Sequence, residues 1–426
     1  MRVLMLGWEF PPYVSGGLGR HCYELTRCLV NLGTDITFFM PKKGADLQAH
    51  GMEIVGVPPT PRNKKNPGYY EAAGSPPLLP YPIRPYGPEK PFPKIGPYEY
   101  VPPQEQQAPS GGKSEQDTIE NYPLDFFEAV VSYNRSLVHE AMEKDFDVIH
   151  AHDWITMLGG IETKKRTGKP LIVTVHSTEF DRTADIYPME WIVEIEKQGI
   201  KHADRIIAVS KMTKEHLVQK YGADENKIRV VYNAVNPKDY KREVPEKKEK
   251  IVLFAGRLTN QKGPIFFLRT AKEVIDHDPE QKVRFIVCGK GDLLPHLIEE
   301  AVHMGLSGHV TFTGYISDEE LIRVYNSADV YVLPSVSEPF GITVLEAMSA
   351  NTPVIISKTS GVSEVISHCL KVDFWDTNEM ANKIISILRH KPLKECMTEN
   401  AGKEVNNFDW NKIANDTLKV YREVFM

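Results

Sequence analysis

The stretch Leu333 to Asn351 reads LPSVSEPFGITVLEAMSAN and holds the end of a strand, a turn and the opening of a helix. The apolar run Val330 to Leu333 leads into it. Gly341 stands where the helix begins, and Glu338 and Glu346 lie on either side of that point, eight residues apart. A helix N-terminus offers unpaired N–H groups and a partial positive charge, which favours phosphate. Two carboxylates flanking such a terminus can hold a ligand lying across it. The same unit, a β-branched strand feeding a helix through a loop, recurs along the chain and marks parallel sheets covered by helices.

Working outward, the second half predicts further strands at Ile251 to Ala255, Arg284 to Cys288, Val310 to Phe312 and Val354 to Ile356, with helices between them. The first half predicts strands at Arg2 to Leu6, Asp35 to Phe39, Val148 to Ala151, Leu171 to Thr174, Arg205 to Val209 and Ile228 to Val231. Helices are expected from Gly17 to Leu32 and from about Leu124 to Lys144. The fold class is therefore α/β, with two Rossmann-like doubly wound domains at 1–240 and 251–408. KDYKREVPEKKEK, Lys238 to Lys250, has the composition of an exposed linker between them. Residues 409–426 close the chain with a helix whose apolar positions Trp410, Ile413, Leu418, Tyr421, Val424 and Phe425 are helically spaced. Between Val57 and Tyr122 the alternation stops. About half of the chain's 31 prolines fall there, so an insertion at about 58–121 forms neither helix nor inner strand. It reads either as a mobile surface excursion or as a flap whose tyrosines could stack on a ligand's rings.

At 426 residues the chain exceeds one ordinary core. Hydrophobic residues at 41% and charged ones at 25% fit a soluble globular protein and exclude a disordered, collagenous or membrane-embedded one. A net charge of −6 supplies no field to hold nucleic acid. Val3 to Trp8 is too short for a signal peptide, and no run reaches the ~20 apolar residues of a membrane span. Five cysteines, at 22, 28, 288, 369 and 396, show no C-x-x-C spacing and read as reduced thiols. A cytoplasmic protein without an integral membrane segment is expected.

Candidate site residues gather at expected strand ends. After the first strand, Gly16, Gly17 and Gly19 open a helix, either as a tight turn or as a place where backbone approaches phosphate. The dinucleotide fingerprint G-x-G-x-x-G is matched neither here nor at VCGKGDLLP, which disfavours a nicotinamide enzyme. VIHAHDW delivers His150, His152 and Asp153 to one strand end, and TVHSTEF delivers His176 to the next. Histidines two apart on a strand share a face, so a metal site enters consideration, but no further ligand follows Asp153 at a metallo-hydrolase spacing. Asp145 and Asp147 form a D-x-D at the amino end of a strand, where capping and solvation explain them better than a metal. Arg257 and Lys262, in AGRLTNQKGP, place a guanidinium fork and an ammonium in one strand-to-helix loop, a pairing suited to a diphosphate.

Together, Glu338-Pro339-Phe340-Gly341, Leu345-Glu346-Ala347-Met348, Gly256-Arg257 and Gln261-Lys262-Gly263 resemble the retaining nucleotide-sugar glycosyltransferases of the GT-B fold. Ser15-Gly16-Gly17-Leu18-Gly19, His152-Asp153-Trp154 and Thr174-Val175-His176 are similar, more narrowly, to the glycogen and starch synthase branch and its sucrose synthase relatives. The resemblance implies two domains facing across a cleft, with the donor on the second, the acceptor on the first, and the terminal helix returning to the first. It implies that Arg257 and Lys262 bind the donor diphosphate, that Gly16, Gly17 and Gly341 bring backbone to it, and that Phe340 and Ile342 complete the donor set. Glu346 would hold the ribose, Glu338 the donor sugar's 3- and 4-hydroxyls and His176 its 6-hydroxyl, with His152 and Asp153 on the acceptor side. The implied reaction moves glucose from UDP- or ADP-glucose to an α-glucan, with retention and with no metal or other cofactor. Transfer to a small-molecule or lipid acceptor, a non-hydrolysing sugar-nucleotide epimerase and a binding scaffold are the alternatives. Departures from the family are Val14, where bacterial glycogen synthases carry lysine, and Asn233-Ala234-Val235-Asn236 and Ser360-Gly361 in place of the usual motifs.

Overall fold

The computed structural model describes residues 1–11, 17–42, 50–57, 126–241, 247, 249–279 and 282–425. Gly16 and the insertion expected at about 58–121 lie outside the described residues. The first sheet comprises β1 (Arg2–Leu6), β2 (Asp35–Met40), β3 (Glu53–Gly56), β4 (Val148–His152), β5 (Leu171–Val175), β6 (Arg205–Ala208) and β7 (Ile228–Val230). Around it lie α1 (Gly17–Asn31), α2 (Phe126–Met142), α3 (Trp154–Thr167), α4 (Glu179–Arg182), α5 (Glu190–His202) and α6 (Lys211–Tyr221). The second sheet comprises β8 (Lys250–Ala255), β9 (Val283–Cys288), β10 (Val310–Gly314), β11 (Val330–Leu333), β12 (Val354–Ser357) and β13 (Leu370–Val372). Its helices are α7 (Pro264–His277), α8 (Leu294–His303), α9 (Asp318–Ser327), α10 (Ile342–Ser349), α11 (Thr377–Arg389) and α12 (Lys391–Glu404), and α13 (Trp410–Phe425) closes the chain.

Both sheets are parallel throughout, in the orders β3-β2-β1-β4-β5-β6-β7 and β10-β9-β8-β11-β12-β13. These are two doubly wound, Rossmann-like domains. In each, the strand order reverses beside the first strand, and ligands in open α/β sheets bind outside the carboxyl ends at that reversal. The central strands are buried on both faces, which is why LIVTV and VYVL read as continuous apolar runs. The edge strands β3 and β13 have no counterpart among the strands expected from sequence: at four and three residues, with exposed positions, neither offers such a run.

The two faces of the first sheet carry different cores. Leu4, Ile149 and Val173 pack with Tyr133, Met157 and Ile195 of α2, α3 and α5. Val3, Val148 and Ile172 pack on the other face with Leu25 of α1 and Trp410, Ile413 and Tyr421 of α13. The chain's last helix therefore covers the first sheet, and Glu423 on it pairs with Arg205 and Arg229. The expected exposed linker differs at Tyr240, which is buried and bonded within the second domain's helix layer. Asp145 and Asp147 pair with Arg2 at the amino ends of β4 and β1, and Arg2 N–H donates to Asp147 at 2.8 Å. Among the described residues, no helix is long and apolar enough to cross a membrane.

Candidate active site

The end of β11 leads through Ser335 and Glu338 to α10, whose opening residue Gly341 has φ 103°, a conformation that glycine adopts without a Cβ clash. Glu338 is held between Lys262 Nζ at 2.5 Å and Ser335 Oγ at 3.2 Å, with both charged side chains largely shielded from solvent. Gly263 brings the Lys262 loop this close: a Cβ built there would stand 2.1 Å from the Pro334 carbonyl, and its φ of 64° is left-handed. Arg257 is exposed at the end of β8, and its positive charge acts on buried Asp153. Phe340 is buried against Tyr232, whereas Ile342 approaches Gly17 across the cleft, 3.8 Å from a Cβ placed on that glycine.

Glu346 is not free at the helix opening, as its sequence position suggests. Its carboxylate accepts from Tyr240 Oη at 2.9 Å and Tyr325 Oη at 3.0 Å, and Arg20 of α1 reaches it at 3.4 Å. Burial, together with the Glu346 charge, pushes both phenols up, so both remain donors at neutral pH. Further bonds join the domains. Ser337 Oγ donates to Asp181 at 2.6 Å, and Glu364 accepts the N–H groups of Lys211 and Met212 at the first turn of α6.

On the opposite wall, β4 and β5 end side by side, so His152, Asp153 and His176 come together. Asp153 has φ 57° and ψ 173°, a backbone conformation essentially confined to glycine, which costs on the order of 1–3 kcal/mol. Its carboxylate accepts the His176 N–H at 2.7 Å. Burial raises its pKa to about 6 against the opposing pull of Arg182, the His176 and Ser177 N–H groups and Arg257. Burial pushes His176 down to about 3, and it drives His152 and His21 well below the usual histidine range, so all three rings are neutral at pH 7. His152 Nδ1 lies 3.1 Å from His176 Nε2. His150 is a structural residue: both nitrogens are engaged, by Tyr421 Oη at 2.7 Å and Thr174 Oγ1 at 2.6 Å.

Family models match the chain in three places: glycosyl transferases group 1 over residues 236–404, glycosyltransferase family 4 over 107–239, and starch synthase catalytic domain over 2–66. A D-inositol 3-phosphate glycosyltransferase of Paenarthrobacter aurescens is 30% identical over 65% of this chain and 73% of its own length. The chain belongs to the GT-B glycosyltransferases. An uncharacterised glycosyltransferase of Methanocaldococcus jannaschii is 27% identical over 99% of this chain and 98% of its own. Anabaena HepE, solved with UDP and glucose, shares the GT-B fold at a TM-score of 0.72, with 16% identity over 99% of this chain and all of that one.

Within this GT-B glycosyltransferase, Arg20, His21, Tyr240 and Tyr325 escape sequence reasoning. Arg20 and His21 sit in an amphipathic helix without a motif of their own, and Tyr240 lies inside a charged run whose composition points outward. Only the packing of α1 and α9 against neighbouring loops brings them to the cleft.

Proposed function

We propose that this glycosyltransferase moves glucose from UDP-glucose or ADP-glucose to an α-glucan hydroxyl, with retention and without a metal ion. The observation that carries the reading is the Lys262–Glu338 pair beside the opening of α10, across from neutral His176 and buried Asp153. A diphosphate is a better partner for Lys262 than one carboxylate, and parting the pair frees Glu338 for the sugar's 3- and 4-hydroxyls. Arg257 and the N–H groups at Gly17 and Gly341 complete the cradle, with Phe340 and Ile342 framing the donor; Gly16, outside the described residues, belongs to the same reading by sequence alone. Preorganised positive charge stabilises the departing diphosphate as a bound divalent ion would. Glu346 exchanges a tyrosine for ribose hydroxyls. His176 meets the 6-hydroxyl, and His152 and Asp153 face the acceptor.

With the His176 strand end over the sugar's β face and Asp153 assigned to the acceptor, attack from the face of the departing diphosphate is favoured over a covalent glycosyl-enzyme. Glucose as donor sugar is supported by HepE, solved with UDP and glucose, and a glucan acceptor by the starch synthase match over residues 2–66. A phosphorylated cyclitol is the second reading for the acceptor, because the 30% identical relative is named for D-inositol 3-phosphate. The test is a donor-by-acceptor panel with nuclear magnetic resonance of the first product. An α-linked glucoside is expected. A β-anomer, or faster transfer from GDP-mannose than from either glucose donor, overturns the reading.

A further inference from the structure

Three imidazoles converge where the ends of β4 and β5 meet the first turns of α1. The ring centroids of His21 and His176 are 4.5 Å apart, those of His152 and His176 5.4 Å, and those of His21 and His152 5.8 Å. One nitrogen from each lies within 4.8 Å of the other two. His21 Nε2 and His152 Nε2 are buried and have no hydrogen-bond partner among the described residues, a costly state for a polar atom. His21 Nδ1 lies 2.7 Å from Asn233 Oδ1. Asn233 thus takes the Nδ1 proton and leaves Nε2 as a bare lone pair, the arrangement by which an outer-shell group prepares a metal-binding histidine.

From this cluster we infer that His21, His152 and His176 form a binding site for a borderline-soft divalent ion, zinc foremost, and that the bound ion inhibits transfer by excluding the donor sugar. Neutral nitrogen donors suit zinc, cobalt and nickel, whereas magnesium and calcium require oxygen ligands. One nitrogen of each ring would have to close from within 4.8 Å to the about 3.3 Å separation that a tetrahedral ion with Zn–N of about 2.0–2.1 Å demands, the contact between His152 and His176 giving way to the ion. His176 is half-buried whereas His21 and His152 are buried, so an ion would reach the cluster from the His176 side. The other histidine of β4, His150, has both nitrogens bonded and stays outside the site. The inhibitory part rests on the reading of His176 as a contact of the donor sugar; the binding part does not.

The experiment uses the full chain, stripped with chelator, then titrated with zinc by calorimetry and with cobalt(II) by visible absorption. One ion per chain and the bands of four-coordinate cobalt are expected. His21→Gln should weaken zinc by at least the about 10–100-fold that attends loss of an outer-shell partner. Thermal unfolding reports whether that variant is folded. Asn233→Ala, which removes only the outer-shell acceptor, provides the second test with a smaller loss. Zinc should also raise the apparent KM for nucleotide sugar. No stoichiometric zinc, or unchanged affinity in both folded variants, overturns the site. Full turnover with zinc bound overturns the inhibition. Failure of every glucose donor while cobalt still shows its bands counts against the proposed reaction and leaves the metal site standing.

Discussion

The two walls of the cleft come from the same structural unit, a parallel strand ending in a loop, yet they treat their polar groups differently. On the first-domain wall, His21 and His152 hold buried nitrogens with no partner among the described residues, and Asp153 sits in strained backbone with its carboxyl raised to about 6. On the second-domain wall, Lys262 closes on Glu338, and Glu346 takes bonds from Tyr240, Tyr325 and Arg20. One wall stores its cost in the fold. The other is satisfied internally, so a ligand bound as proposed would have to exchange partners there. Stability lost in assembling a site is recovered when ligand supplies the missing contacts.

The largest expected effect tests the exchanging wall. Lys262→Ala should lower turnover by roughly 10² or more, the scale for losing one preorganised electrostatic contact. Steady-state kinetics on protein shown to be folded decides it, and near-normal turnover would mean that the pair takes no part in transfer.

A carboxylate at the other end of the same sheet provides the contrast. Asp329, at the entry to β11, binds Lys394 at 2.7 Å and the Ile251 N–H at 2.9 Å, and it also pairs with Lys247. Burial alone would raise its pKa, but the bonds from Lys247, Lys394 and the Ile251 N–H outweigh burial and leave it lowered. Since the folded value lies below the unfolded one, its contribution is present above the ordinary aspartate range and lost as pH falls through the folded value. Asp329→Asn should cost about 1.5–3 kcal/mol at pH 7, as for a hydrogen bond to a charged group. Denaturant unfolding at several pH values should show the gap between variant and parent closing on acidification. A gap that persists in acid would refute the assignment.

Strain on the first-domain wall has its own signature. Asp153→Gly and Asp153→Ala both remove the carboxylate, so the difference between them isolates the backbone. The glycine variant should be more stable by about 1–3 kcal/mol. Equal stability would mean that the loop relaxes and holds no strain.

The smallest expected effect concerns metal. If Lys262, Arg257 and the α10 terminus supply the charge that the reaction needs, chelator should leave activity unchanged, or raise it slightly by stripping adventitious zinc. Activity abolished by chelator and restored by manganese would place a required ion on the donor diphosphate and undo the contrast between the walls.

Much of this was legible residue by residue. The strands from Arg2 to Leu6 and from Val330 to Leu333 are apolar runs because both faces of a parallel sheet are covered, and α13 from Trp410 to Phe425 follows from its apolar spacing. The motif around Gly341 located one wall and His152-Asp153 the other. Composition misled at Tyr240, because one buried aromatic inside a charged run leaves no periodicity to detect. His21 was invisible for a similar reason: a helix's buried stripe shows that a side chain points inward, not what it meets there.

The sequence by itself determined the two parallel α/β layers and the strand ends at which polar residues collect, because burial pattern and turn chemistry are local and repeat with fixed periods. Tertiary structure alone decided which of those residues became partners. Arg20 reaches Glu346 from 326 residues away, and His21 joins His152 and His176 only because α1 crosses the ends of two strands far along the chain. Such meetings depend on how separate layers pack against one another. No local pattern encodes that, so charge pairing, desolvation and the bare histidine nitrogens emerge only when the chain is closed in three dimensions.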